Sequence, residues 1–300
     1  MSTNIPTVDL SWFGTARHAD LVRAFGAGLE EWGFVNVVGH GVDPGLVERC
    51  YSAAAQVFAL PSRVKQGYAT PGDGHQRGYT GFGVERAKDR EVADIKEFWH
   101  VGREDGVGLP ANQRPAEVPA FSEALGELFA RYDACSLQLL QLVAEHLGWA
   151  PSAIADMARG GNSVLRVIHY PDVGAPQPGA VRAAEHEDIN LITLLWAATK
   201  PGLEVMTRAG EWLAVAPPKD AIIVDTGDMM QLLTGGRLPA VTHRVVNPEG
   251  ADGGRMSIPM FVHPRPEVVL VEHGPDGAPI LAGDYLTERL VAIGVLHDGR

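Results

Sequence analysis

The sequence predicts a β-rich α+β protein, a sandwich or closed barrel of short strands carrying a helical N-terminal portion. Two observations predict it. After Gly160 short segments rich in β-formers arrive at brief intervals, separated by turn clusters such as "RAGE", "PPKD" and "GADGG". Before Gly160 the apolar residues recur mostly at helical spacing.

The elements follow in order. "IPTVDL" is a short strand, "ADLVRAFGAGLEEWG" an amphipathic helix and "FVNVVGHGV" a second strand. Asp43-Pro44 opens a helix through "GLVERCYSAAAQVFAL", with the acid as cap and proline in the first turn. From Gly67 to Gly108 the chain is rich in Gly, Asp and Arg and weakly periodic, which predicts a long structured loop region over a site. "VPAFSEALGELFARYDACSLQLLQLVAEHLGW" is the longest helical pattern and ends before Pro151. The strand segments are then "SVLRVIHY", "NLITLLW", "LEVMT", "EWLAVA", "AIIVDTG", "VTHRVV", "SIPMFV" and "EVVLVE", and "GDYLTERLVAIGVL" is a closing helix. The expected organisation is an N-terminal region over 1–115, a long helical segment over 116–157, a β core over 158–272 and a C-terminal helical segment over 273–300.

Composition narrows the function. A net charge of −12 argues against nucleic-acid or anionic-membrane partners, which reward a basic surface. No stretch approaches the roughly 20 uninterrupted apolar residues of a membrane span. Cys50 and Cys135 each sit in an apolar helical pattern, as buried thiols of a reducing compartment do. The start "MSTNIPTVDLSWF" lacks the basic and apolar regions of a signal peptide, so the expectation is a cytoplasmic protein.

The chemistry concentrates at "AAEHEDINLITLL", residues 183–195. A helical zinc motif needs a second histidine four residues after His186, but that position is Asn190. In an extended chain His186 and Asp188 share one face and Glu187 points to the other. Such a His-x-Asp pair needs a third ligand, and His243 in "LPAVTHRVV" offers one from a separate strand. Two histidines and a carboxylate form the facial triad of non-haem Fe(II) oxygenases. Twelve residues on, Arg255 and Ser257 share a strand face in "GGRMSIPMFVHP". An arginine fork beside a hydroxyl is shaped to hold a carboxylate. In "LRVIHYP", Arg166, Ile168 and Tyr170 share a face by the same alternation.

Together "EHEDINLITLL", "GDMMQLLTGGRLPAVTHRVV" and "RMSIPMFVHP" resemble the iron and oxoglutarate motifs of the isopenicillin N synthase-like branch of the Fe(II)/2-oxoglutarate-dependent dioxygenases. "IPTVDL…EEWGFVNVVGHGV" and "GYTGFGVERAKDREVADIKEFWHVG" resemble that family's N-terminal and middle stretches, so the likeness runs over most of residues 5 to 265. The resemblance implies a double-stranded β-helix (jelly-roll) core with iron on His186, Asp188 and His243. It implies 2-oxoglutarate chelating the metal, its far carboxylate on Arg255 and Ser257, and Tyr170 contacting it. It implies oxidation of a small-molecule substrate by O₂, as hydroxylation, desaturation or similar C–H chemistry, with release of succinate and CO₂. One departure stands out: many members carry Asn-Tyr-Tyr-Pro where this chain has Ile168-His169-Tyr170-Pro171.

Other residues receive plainer readings. His40, His169 and His263 are expected to be structural. Arg166 is open between a buried ion pair and a contact with co-substrate or substrate. Trp196 and Trp212 fit strand packing, whereas Phe82, Phe98 and Trp99 are candidates for a substrate entrance. Two other functions share the fold: an oxoglutarate-independent Fe(II)/O₂ oxidase and a catalytically silent binding protein. A cupin-like metal isomerase or hydrolase would be richer in histidine and would lack the downstream Arg-x-Ser.

Overall fold

The computed structural model describes residues 5–84, 96–104, 110–172, 182–246, 254–294 and 296. The chain opens with β1 (Thr7–Asp9), α1 (His18–Trp32), β2 (Phe34–Val38), α2 (Pro44–Phe58) and α3 (Ser62–Gln66). Then come β3 (Gly78–Thr80), β4 (Glu97–Gly102), α4 (Pro119–His146), α5 (Ala153–Ala158), β5 (Val164–Tyr170), β6 (Ala183–His186) and β7 (Ile192–Trp196). The C-terminal half adds β8 (Leu203–Met206), β9 (Trp212–Ala214), β10 (Ile222–Thr226), α6 (Asp228–Leu233), β11 (His243–Val245), β12 (Arg255–Ser257) and β13 (Pro259–Val262). It closes with β14 (Val269–Val271), β15 (Ile280–Leu281) and α7 (Ala282–Ala292).

Two sheets face each other. The larger runs β1-β2-β10-β7-β13-β5-β4-β3, with β12 extending the β13 edge along β5. The smaller runs β6-β11-β8-β9. The predicted β-rich α+β class holds, and the larger sheet, antiparallel apart from the β1–β2 pair, forms the jelly-roll core. The N-terminal third adds four strands to that sheet instead of standing apart from it.

Helices cover the outer face of the larger sheet. On α4 the buried residues Phe121, Leu125, Leu128, Tyr132, Cys135, Leu139 and Val143 recur at three- and four-residue spacing. That stripe packs against α1, α2, α5 and the sheet. Each fully buried leucine in it contributes about 1.5–3 kcal/mol relative to exposure. Cys50 and Cys135 are both buried and unbridged in this layer, where burial pushes each thiol up to about 12. Helix α2 begins as its sequence predicts, with Asp43 accepting from the Gly45 N–H at 3.0 Å and Pro44 in the first turn. Helix α1 ends at Gly33, whose φ of +64° closes the helix; a Cβ there would lie 2.4 Å from Val241.

One expectation needs correcting. The weakly periodic stretch from Gly67 to Gly108 holds two strands of the main sheet, and all six residues of β4 are buried. Polar residues hide the strand because both its faces are covered. Glu97 meets Lys65 and Tyr79 on the helix side, while Lys96 and His100 face the space between the sheets. Residues 85–95 and 105–109 of that stretch, and most of "GADGG", lie outside the described residues. No helix among the described residues is long and apolar enough to cross a membrane.

Candidate active site

A cavity of about 390 Å³ opens between the two sheets. Alternation decides what lines it. From β5 come Val164, Arg166, Ile168 and Tyr170; from β12 and β13 come Arg255, Ser257, Pro259 and Phe261, followed by His263. The smaller sheet contributes Ala183, His186, Leu203, His243 and Val245. Helix α7 forms a wall with Leu286, Arg289 and Leu290. Asp228 tethers that helix, accepting from Tyr285 at 3.1 Å and pairing with Arg289 at 2.9 Å.

His186, Asp188 and His243 converge at the cavity wall, with one ligand atom from each lying within 4.8 Å of the others. The two histidines are cross-strand partners on β6 and β11, and their ring centres are 4.3 Å apart. Each Nδ1–H donates to a carbonyl two residues back, Ala184 at 2.7 Å and Val241 at 3.1 Å. That tautomer leaves both Nε2 lone pairs aimed at Asp188, whose Oδ1 lies 3.8 and 3.7 Å away. Burial and the neighbouring His243 push the pKa of His186 down to about 4 against the opposing pull of Asp188, so its ring is neutral near pH 7. Phe34 meets the His243 ring edge-on at 5.6 Å and steadies it.

Asp188 reaches this position by a route the alternation argument did not foresee. Strand β6 ends at His186, so Asp188 stands in the loop that follows, not on the strand. Helix α6 holds that loop. The Asp228 N–H donates to the Asp188 carbonyl at 2.7 Å, and the Met229 N–H reaches Ile189 at 3.1 Å. Gly227 is obligatory for this approach, since a Cβ would sit 2.3 Å from the Asn190 carbonyl. Thr193 donates to Asp188 Oδ2 and accepts from Asn190 Nδ2 at 2.9 Å, leaving Oδ1 toward the histidines. Glu187 does point elsewhere, accepting from Thr242.

The carboxylate anchor forms at one end of β5. Arg255 and Ser257 pair with Tyr170 and Ile168, and the Arg255 guanidinium stands 5.3 Å from the centre of the Tyr170 ring. Arg255 is 2% exposed. Its Nε donates to the Lys200 carbonyl at 3.2 Å and its Nη1 to Ser257 Oγ at 3.3 Å. Among the described residues it has no carboxylate partner. Buried Arg182 adds charge of the same sign, and its pKa is lowered by burial and by Arg255. A buried, oriented guanidinium without a counter-charge calls for an anion.

Arg166 is also in the cavity, four residues from Tyr170 on the same face. His169 faces the other way, accepted by Glu97 at 2.8 Å and stacked on Phe58, as a structural histidine should be. His40 is structural too, bonded to the Asp220 carbonyl at 2.8 Å and to the Val42 N–H at 3.1 Å. His263, read from sequence as structural, lines the cavity, and burial pushes its pKa down to about 4. The two-residue rhythm from Arg255 onward carried that signal. Trp196 is buried in the main core, and Trp212 lies under Arg244 at 3.9 Å. Of the proposed entrance aromatics, Trp99 belongs to the helix-side core, Phe98 packs on Ile168 and Tyr170, and Phe82 is exposed. None of the three lines the cavity. Lys96, His100, Asp225 and Arg289 line it and escaped sequence reasoning, because each needs a distant element to bring it there.

The comparisons agree with this geometry. Residues 5–121 match the model for the non-haem dioxygenase in morphine synthesis N-terminal region, and residues 161–264 match that of the 2OG-Fe(II) oxygenase superfamily. The chain is 31% identical to the 2-oxoglutarate-dependent dioxygenase citB of Monascus ruber, over 86% of this chain and 84% of that one. It is 30% identical to leucoanthocyanidin dioxygenase 1 of Oryza sativa subsp. japonica, over 92% of this chain and 75% of that one. Full-length Neurospora crassa T7H in complex with alpha-KG superimposes with a TM-score of 0.85 at 28% identity, covering 96% of each chain. The chain therefore belongs to the 2OG-Fe(II) oxygenase superfamily and is an oxidoreductase that works with Fe(II), 2-oxoglutarate and O₂.

Proposed function

We propose that His186, Asp188 and His243 are the iron ligands, that Arg255 and Ser257 grip the distal carboxylate of 2-oxoglutarate, and that Tyr170 closes the co-substrate pocket. The observation that carries this reading is Arg255, a buried cation with no carboxylate partner among the described residues, in the same cavity as the triad. The donor set suits the groups it would hold: two neutral imidazoles and one carboxylate for a divalent metal, a guanidinium fork for a carboxylate. When bound, iron and 2-oxoglutarate supply the oxidising power, turning O₂ and oxoglutarate into succinate, CO₂ and an oxidised C–H position of the substrate.

The protein's own residues bind, orient and exclude water. Thr193 turns the carboxylate of Asp188 toward the metal position, and the Ala184 and Val241 carbonyls set both imidazoles. Helix α7 walls the cavity with leucines. We assign the chain a small-molecule substrate and a cytoplasmic setting, with neither nucleic acid nor membrane as partner. The acidic balance and the two unbridged thiols support that assignment.

Anaerobic addition of Fe(II) and then 2-oxoglutarate should produce the visible charge-transfer band of the chelate. A metal-loaded protein that shows no band would refute co-substrate binding at this site. Substrate-stimulated succinate release is the companion assay.

A further inference from the structure

His263 enters the cavity just past the end of β13, continuing the two-residue rhythm of Arg255, Ser257, Pro259 and Phe261. Its main chain is held on both sides. The Leu191 N–H donates to the Val262 carbonyl at 3.0 Å, which ties the residue before His263 to the segment that follows Asp188. The His263 N–H donates to Ser163 Oγ at 3.3 Å, and its carbonyl packs on Gly161, where a Cβ would lie 2.2 Å away.

The ring is as well defined as the main chain. Its Nδ1–H donates to the Phe261 carbonyl at 3.2 Å. In a neutral imidazole that bond makes Nε2 an acceptor. Burial pushes the pKa down to about 4, so the ring is neutral near pH 7. Nε2 has no hydrogen-bond partner among the described residues, yet it is not sealed inside the protein as Asn190 Oδ1 is. It therefore opens to the cavity that His263 lines. Among the described residues only His186, Asp188 and His243 group closely enough to hold a metal, so His263 shares the cavity with the triad without joining it.

The neighbouring wall is apolar. Phe261 precedes His263 on the same face, Val164 is the register partner of Phe261, and α7 adds Leu286, Leu290 and Ile293 to the lining. A fixed acceptor in such a wall is costly to leave unbonded once a ligand has expelled water, so it favours a ligand that brings a donor.

We propose that His263 sets substrate specificity, its Nε2 accepting a hydrogen bond from a neutral hydroxyl or N–H group on an otherwise apolar substrate. The inference rests on the assignment of iron and 2-oxoglutarate made above and names a substrate class for that site. Because backbone groups fix the imidazole beforehand, little freedom is lost when the bond forms, and the bond orients the substrate in the cavity that the triad shares.

The test uses protein loaded with Fe(II) and saturating 2-oxoglutarate under anaerobic conditions. Pairs of isomers are compared: para-cresol with anisole, skatole with N-methylindole, and para-methylbenzyl alcohol with benzyl methyl ether. The members of a pair have the same atoms and differ in whether a methyl group blocks the donor. Shifts of the charge-transfer band and of the melting temperature give the affinities. The donor-bearing isomer should bind at least about fivefold more tightly, and His263→Phe and His263→Leu should each remove that preference. His263→Gln, whose amide oxygen restores an acceptor, should retain part of it. All three variants should bind 2-oxoglutarate as the wild type does. No donor preference in any pair, through equal binding or through none, would overturn the inference. So would a preference that survives in both His263→Phe and His263→Leu. Weakened 2-oxoglutarate binding in all three variants would place His263 on the co-substrate and overturn it too. A wild-type protein with no band overturns the underlying assignment and the inference with it. A band without donor preference overturns the inference alone.

Discussion

Replacing Arg255 by alanine should separate 2-oxoglutarate binding from iron binding. The guanidinium is 2% exposed and, among the described residues, is bonded to neutral groups alone, Lys200 O at 3.2 Å and Ser257 Oγ at 3.3 Å. The bound carboxylate thus supplies its counter-charge, and losing one partner of a buried charge pair costs roughly 2–5 kcal/mol. At about 1.4 kcal/mol per tenfold, oxoglutarate affinity should fall between roughly thirtyfold and several thousandfold. Arg255→Lys should fall between wild type and alanine, because it restores the charge without the fork. Melting gives a second readout. At a hundredfold excess over Kd the ligand stabilises by about 2.7 kcal/mol, at roughly 2–4 °C per kcal/mol. Oxoglutarate should therefore raise the wild-type melting temperature by roughly 5–10 °C and barely move Arg255→Ala. The ligand-free variant should melt no lower than wild type, since it has shed a buried cation that has no carboxylate partner among the described residues. Anaerobic titration of the charge-transfer band and thermal melts measure both effects. An unchanged affinity in Arg255→Ala would refute the argument.

The two adjacent acids should behave oppositely: Asp188→Asn loses tight iron binding, while Glu187→Gln keeps it, as metal titration will show. For His263 the folded pKa of about 4 lies below the usual 6.5, so the unfolded chain takes the proton first. Its contribution to the metal-free protein, about 3 kcal/mol, is whole above pH 6.5 and is lost as the pH falls toward 4. Urea melts at pH 7.5 and 5 should show the loss, and His263→Asn should reduce it. Asp225 has the opposite sign, because burial and Asp188 raise its pKa and stability is lost as pH rises. Asp225→Asn should raise the melting temperature of the metal-free protein at pH 7.5 and leave it unchanged at pH 3.5; an equal gain at both would count against a buried acid.

Local pattern was enough for much of this protein. The period-two rhythms of Arg166–Ile168–Tyr170 and Arg255–Ser257 place those residues on the cavity face as read from sequence, because a strand has no other way to arrange its side chains. Helices α1, α2 and α4 were equally legible, from apolar spacing and end signals. Tertiary structure decided the rest. Strand β4 was obscured because it is covered on both faces and carries Glu97 and His100 for partners that lie far along the chain. The preference for Asp188 over Glu187 rested on an incomplete reason. The strand stops at His186, and the acid is turned inward by backbone bonds from α6 and by Thr193. Sequence alone named His186, Asp188 and His243 as a chemical set. Only the fold, which pairs β6 with β11 and closes α7 over the cavity, brings them within 4.8 Å of one another. The physical reason is range: periodicity reports which face a side chain takes, whereas which faces meet depends on strand order and on loops clamped by distant hydrogen bonds.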